Sequence, residues 1–254
     1  MAFLFHTLIY QPIYNLLIFV YDIIPDFGVA IILVTIAIKM VLIPLSRKQI
    51  ESQKKMQELS PKIKELQARH KNDKEKQSRA LMELYKENKA NPLSGCVPMV
   101  VQLIFLLAIY RVLFNISQAG LMINSGDVYS FIHNPRQINK MFLGIIDLSA
   151  TINLARLTLA GLPHLVLVVL AAGSQYFQTK MLMAKQVVKP AKSNQADFSQ
   201  MMTKQMLILG PLLTLFIGIR FPAGLALYWL VSTIFMIAQQ KYMEKKERSA
   251  AAAK

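Results

Sequence analysis

The sequence predicts an all-α polytopic membrane protein: five transmembrane helices, a cytoplasmic helical hairpin between the first two, and an N-terminal interfacial helix ahead of them. Three observations carry that prediction. The 254 residues are 54% hydrophobic and only 17% charged, too apolar for an ordinary soluble domain of this size. The apolar residues fall in long runs separated by basic stretches, the pattern of spans and loops. One of those runs, Gly28–Leu45 (GVAIILVTIAIKMVLIPL), has about the length a helix needs to cross the hydrocarbon core and carries a single charge, Lys39.

Residues 1–25 are apolar and aromatic, with Pro12 breaking the run. They lack the basic start and small-residue cleavage site of a signal peptide. Tyr10, Tyr14 and Tyr21 suit head-group depth, so this segment is expected to lie in the interface as an amphipathic helix. The first span covers 26–46. Residues 47–91 read as two charged helices turning near Lys71–Lys74, the first interrupted at Ser60-Pro61 and the second closed by Asn91-Pro92. Leu59, Ile63 and Leu66 recur at helical spacing, as do Leu81, Leu84 and Tyr85, which gives each helix a thin apolar seam and favours a folded hairpin over a solvated connector.

The second span, 92–115, contains Gln102, about 14 Å of helix rise from Leu93 and hence at mid-membrane depth, where an amide needs a partner. Residues 116–161 form a mixed extracytoplasmic loop in which short interfacial helices are expected. The third span is 162–183, with Ser174, Gln175 and Gln178 in its inner half. A polar linker, 184–203, leads to a short fourth span, 204–219, whose apolar run is about 21 Å long against a core of roughly 30 Å. The fifth span, 224–243, places Tyr228, Ser232 and Gln239 on one helical face. The basic, alanine-rich tail, 244–254, is expected to end in disorder.

Charge orients the chain. The net charge of +15 could suggest nucleic acid, but its location argues otherwise. Twenty-two Lys and Arg fall in the hairpin, in residues 184–204 and in the tail from Lys241 on, against four in the intervening loops. The positive-inside rule puts the hairpin and C-terminus in the cytoplasm and the N-terminus outside.

No catalytic signature is present: there is no GxxxxGK[ST], GxSxG or HExxH. One cysteine, Cys96, excludes an intramolecular disulfide and a cysteine-cluster metal site, and the four histidines lack ligand spacing. The reading is therefore of a non-enzyme with no cofactor and no metal. The informative residues are polar ones on apolar spans. A lysine inside a span costs roughly 2.5–3.5 kcal/mol on insertion scales and marks a functional site by default, although a lysine near a helix end can also snorkel. Thr35 lies one turn before it and Ser46 two turns after, a sparse polar stripe. Lys39, Thr35, Gln102, Ser232 and Tyr228 together suggest a water-containing groove with a positive charge on its wall. Such a groove suits either the polar flank of a membrane segment being inserted or a solute path through a small transporter or channel. A transporter should show internally repeated halves with broken helices in matching positions, and this sequence shows none.

Several stretches match a known family. NPLSGCVPMVVQ at Asn91–Gln102, FPAGLALYW at Phe221–Trp229, IPLSRKQIESQKKMQELSPKIKELQ and FLGIIDLS together resemble the YidC/Oxa1/Alb3 membrane protein insertases over nearly the whole chain. The resemblance implies five spans, a cytoplasmic hairpin, a groove open to cytoplasm and lipid, and a bacterial plasma membrane location without the large periplasmic domain of some members. It implies nascent membrane proteins, the ribosome, the Sec translocon and membrane lipids as partners, with no specific nucleic-acid recognition beyond ribosome contact. It adds Trp229, beside Tyr228, as a groove residue where some members carry tyrosine. Lys39 stands where the family usually has arginine, a point donor on a flexible stem in place of a planar fork.

Overall fold

The computed structural model describes residues 2–71, 73–91, 97–118, 122–152, 158–183 and 194–252. The chain begins with α1 (Ala2–Phe5), a π-wound turn (His6–Tyr10) and α2 (Gln11–Ile23), which run on as one helix. Pro12 was expected to break this run and does not. The Gln11 N–H reaches back five residues to His6 O, and Pro12 then opens the α register, where its missing N–H leaves no partner stranded.

α3 (Phe27–Val41) follows a short turn. Asp26 caps it, its Oδ1 accepting from Gly28 N at 2.9 Å and Val29 N at 3.0 Å. The first span is not a single rod to residue 46, as the apolar run suggested. It breaks at Leu42, and α4 (Ile43–Arg69) leaves at 64°. Pro44 stands in the first turn of α4, the position where proline fits a helix start but cannot extend the preceding one.

α4 and α5 (Lys74–Glu87) form the hairpin, closed on a seam of Leu59, Leu84 and Ala90 with Met56, Ile63, Leu66 and Tyr85 packed around it. Pro61 does not interrupt α4: the seam residues Leu59 and Ile63 flank it and hold the helix against α5 on both sides. Pro92 lies outside the described residues. α6 (Val97–Gln118) follows.

In the stretch expected to be an extracytoplasmic loop, residues 122–152 and 158–161 contain no α-helix, only a 3-10 turn at Leu159–Gly161. The FLGI stretch makes a two-stranded antiparallel hairpin instead, β1 (Met141–Phe142) and β2 (Ile146–Asp147). Leu143 and Gly144 both adopt positive φ, 52° and 69°, as a tight turn between twisted strands demands. Asp147 is partly buried, which alone would raise its pKa. Bonds from Lys140 and Ser149 outweigh that and hold the carboxyl below its usual range.

α7 (Leu162–Met183) occupies the stretch read as the third span. α8 (Asn194–Arg220) begins well inside the stretch expected to be linker, because no proline or glycine occurs from Asn194 to Leu209 to stop a helix. α9 (Ala223–Ala252) continues through the basic tail, whose end the sequence alone suggests is disordered; residues 253–254 lie outside the described residues. Its alanines are strong helix formers, and Gln240 bonds Glu244 one turn on. Among the described residues, Phe3–Ile23 and Ala223–Lys246 are long and apolar enough to cross a membrane, α3 with α4 forms a bent candidate, and Val100–Ile116 and Leu207–Arg220 are shorter apolar helices.

α9 is the hub, packed on α3, α6 and α7, with α8 against α7. Close approach is built in: the Gly224 Cα hydrogens face Leu113 and Ile31, where an added Cβ would lie 3.0 Å from the Leu113 side chain. The N-terminal helix is tied along its length to the segment between α6 and α7. His6 meets Asp127, Asn15 bonds Asp127 O and Tyr129 N, the Tyr14 and Tyr21 hydroxyls accept from Asn124 N and Asn139 N, and Asp22 meets His133. Asp26 Oδ2 accepts from Leu143 N at 2.8 Å, so the cap of α3 also fixes the β-turn.

That junction gives a stability prediction. A methyl at Gly28 would overlap the Phe142 ring down to its Cβ, so Gly28→Ala is expected to cost about 1–3 kcal/mol, read as a lower midpoint of thermal unfolding in detergent. Gly173→Ala, with open space around the added Cβ, should be neutral or stabilising by about 0.5–1 kcal/mol. An unfolding midpoint unchanged by Gly28→Ala would show that β1 does not seat on α3 as described.

Candidate functional site

Lys39 sits in the last turn of α3 with only 8% of its surface exposed. Its ammonium donates to Gln102 Oε1 on α6 at 3.0 Å, and Ser232 Oγ on α9 donates to the same oxygen at 3.1 Å. An ammonium can only donate, so this contact dictates which end of the Gln102 amide faces it. Both lone pairs of that carbonyl are then taken. Three helices separated widely in sequence thus converge on one oxygen, with the basic group on one wall and neutral groups on the others.

The ammonium has three hydrogens, and one is used among the described residues. Among the described residues no carboxylate lies within salt-bridge distance of it. A charge so placed is a strong donor toward any acceptor that reaches it, because little water competes and no counter-ion cancels its field. Tyr228, one turn before Ser232, is buried, and its hydroxyl faces Ser232 and Gln102 without completing a hydrogen bond in ordinary geometry. It is a further polar group without a full partner at the same place.

Not every residue expected at the site serves it. Thr35 is buried one turn from Lys39, and its hydroxyl hydrogen goes to Ile31 O at 2.6 Å within its own helix, which leaves its oxygen only as an acceptor. Trp229 lies on the neighbouring face of α9, where its Nε1 donates to Gln175 Oε1 on α7 at 3.3 Å. The structure therefore brings together Lys39, Gln102, Ser232 and Tyr228, and assigns Trp229 to the α7–α9 contact. Around the cluster, Met40, Val41, Val100, Leu103 and Ile234 are exposed apolar side chains, the surface a helix presents to lipid.

A second polar cluster lies where α3 gives way to α4. Ser46, Gln49 and Gln239 are each buried, and Gln239 Nε2 donates to Ser46 Oγ at 2.6 Å. Gln49 does not stand out in the sequence, since it sits among the many polar residues of the hairpin. Its signal is spacing: it is three residues after Ser46 and extends the stripe that runs from Thr35 and Lys39. Among the described residues no group of three His, Cys, Asp or Glu side chains could hold a metal ion.

Comparison with known proteins agrees with this arrangement. The chain matches the family described as 60Kd inner membrane protein over residues 19–250. It is similar to proteins named membrane protein insertase YidC: 34% identical over 92% of the chain to that of Citrifermentans bemidjiense, 36% over 95% to that of Magnetococcus marinus, and 31% over 98% to that of Wolinella succinogenes. Those matches cover 36%, 36% and 40% of the respective relatives, so the chain spans little more than a third of their length. In fold it is similar to a crystal structure titled as an active YidC insertase with the first transmembrane domain resolved. That likeness has a TM-score of 0.54 at 23% identity, over 92% of this chain and 47% of the other. The chain, a membrane protein with helices able to span the bilayer, belongs to the 60Kd inner membrane protein family.

Proposed function

We propose that this chain is a membrane protein insertase, a non-enzymatic chaperone that eases the polar flank of a nascent membrane segment across the bilayer while its apolar part moves into lipid. The observation that carries the proposal is the uncompensated Lys39 ammonium, held on Gln102 and Ser232 between three helices and rimmed by lipid-facing side chains. A carbonyl or carboxylate of the client gains a charged hydrogen bond there, worth roughly 1.5–3 kcal/mol, at the depth where it has lost water. The names of the relatives support the same reading.

The proposal includes five spans, built on α3, α6, α7, the apolar half of α8 and α9, in a bacterial plasma membrane, with hairpin and tail in the cytoplasm as the charge pattern indicates. The basic hairpin and tail suit contact with a ribosome delivering the client, and the Sec translocon is proposed as a partner on the family resemblance. The helix ahead of α3 is placed in the outer interface. His6 to Asp22 covers about 24 Å of helix rise and touches the outer loop throughout, whereas a helix piercing the bilayer would meet that loop at one end only.

Two experiments test these points. In a bacterium depleted of its own insertase, insertion of a small single-span client is read by protease accessibility at matched expression. Wild type and Lys39→Arg are expected to rescue, and Lys39→Ala to insert about tenfold more slowly or worse, the worth of one charged hydrogen bond. Equal rescue by all three would remove Lys39 from the mechanism, and failure of the wild type would favour the transporter reading. In a Cys96→Ser background, His6→Cys and Ile24→Cys are expected to react with an impermeant maleimide from the outside. Labelling from opposite sides would make the segment a span.

A further inference from the structure

At the cytoplasmic end of the same wall, one chain of hydrogen bonds ends on an unpartnered atom, and a second unpartnered atom lies on the same face of α4. The Ser46 hydroxyl donates to Ile43 O at 3.0 Å, so its oxygen must accept from Gln239 Nε2. That pins the Gln239 amide with its nitrogen toward α4 and its Oε1 pointing away. Gln239 Oε1 is buried with no hydrogen-bond partner among the described residues, and so is Gln49 Nε2, three residues after Ser46 on the same helix face. Both side chains are more than nine-tenths buried, and the apolar neighbours Ile50 and Met243 are buried as well. Each orphaned amide atom costs about 1–3 kcal/mol in the resting protein.

The two orphans are complementary: one is a donor, the other an acceptor. A peptide unit has the matching set, a C=O to accept from Gln49 and an N–H to donate to Gln239. Side chains of Ser46, Gln49 and Gln239 carry no charge, so a neutral amide suits this place better than a charged flank. We propose that Ser46, Gln49 and Gln239 form a docking site for the backbone of an extended client segment, one station below the Lys39 cluster, which rests on the insertase reading above. Recognition through the backbone is independent of client sequence, as in an added β-strand. It would hold the segment between hairpin and groove before its polar groups meet Lys39.

The test exploits the cost of the orphans. Gln49→Met replaces an amide whose nitrogen has no partner with an apolar chain of similar length, so the unfolding midpoint in detergent should stay level or rise, whereas Gln239→Met also removes the bond to Ser46 and should lower it. Client insertion by each variant should fall about three- to tenfold, the worth of one buried neutral hydrogen bond. In parallel, a client with a photoreactive residue in its polar flank is cross-linked to the wild-type protein during insertion. Peptides containing Ser46–Gln49 and Gln239–Met243 should be captured. Unchanged insertion rates, or capture of a photoactivatable lipid in place of the client at those peptides, would overturn the docking site while leaving the insertase intact. Should either variant fail to fold, the wild-type cross-link decides alone. A wild type that inserts nothing would instead remove the reading on which the site rests.

Discussion

A single ammonium in an apolar wall organises this molecule. Lys39 is stable where it stands only because Gln102 arrives from α6 with a carbonyl oxygen and Ser232 arrives from α9 to share it. That meeting requires α3, α6 and α9 to approach closely near the outer end, which Gly224 and the buried Ala223 and Ala226 allow. It also requires the helices to keep their rotation. A turn of α9 by one residue would bring Trp229 toward the lysine and carry Ser232 away. The Trp229–Gln175 bond to α7 opposes that turn, so a contact outside the cluster sets the cluster's geometry.

The two ends of the bundle are held by different means. At the end that carries β1 and β2, backbone groups are tied down: Ala223 N and Gly224 N donate to Ala150 O and Leu148 O, Ile152 N donates to Ile219 O, and the tyrosines and Asn15 of the first helix grip the loop. At the other end, the tie found between the α4 base and α9 is a side-chain bond, Gln239 to Ser46, next to two unpaired amide atoms. Local opening follows the weaker end. On the proposed orientation, this distribution of bonds favours opening at the α4 end over opening at the end that carries β1 and β2.

Much of this was legible in the sequence, and the failures have physical reasons. Hydropathy located the apolar helices because lipid selects on composition over a whole span. The hairpin seam at Leu59, Ile63, Leu66, Leu84 and Tyr85 followed from helical spacing, and the structure packs those residues together. Lys39, Gln102 and Ser232 were found because a polar group in an apolar run is costly. The prolines misled. Pro12 and Pro61 are each absorbed, one by a π turn and one by packing on both sides, and neither compensation is visible in local sequence. Thr35 misled in another way: a hydroxyl can bond its own helix, and one-dimensional spacing cannot tell that from a hydroxyl facing the groove. The FLGI turn depends on a leucine at positive φ, held by a bond to Asp26 more than a hundred residues away.

On the proposed insertase reading, the chemistry of two stations accounts for insertion without a source of energy. A client segment is driven to its final place by burial of its apolar part, at about 25 cal/mol per Å² removed from water. The obstacle is kinetic: each unpaired polar group entering hydrocarbon costs several kcal/mol on the way. A wall that offers a charge at one depth and an amide pair at another divides that cost into smaller steps. Neither station can bind so tightly that the client stays, and the construction guards against it. Lys39 already donates to Gln102, so a client acceptor meets an ammonium that is partly satisfied and gains less than it would from a bare charge. The neutral amides form bonds worth little more than 1 kcal/mol each. Weak, partly satisfied partners lower the barrier and still release the segment to lipid.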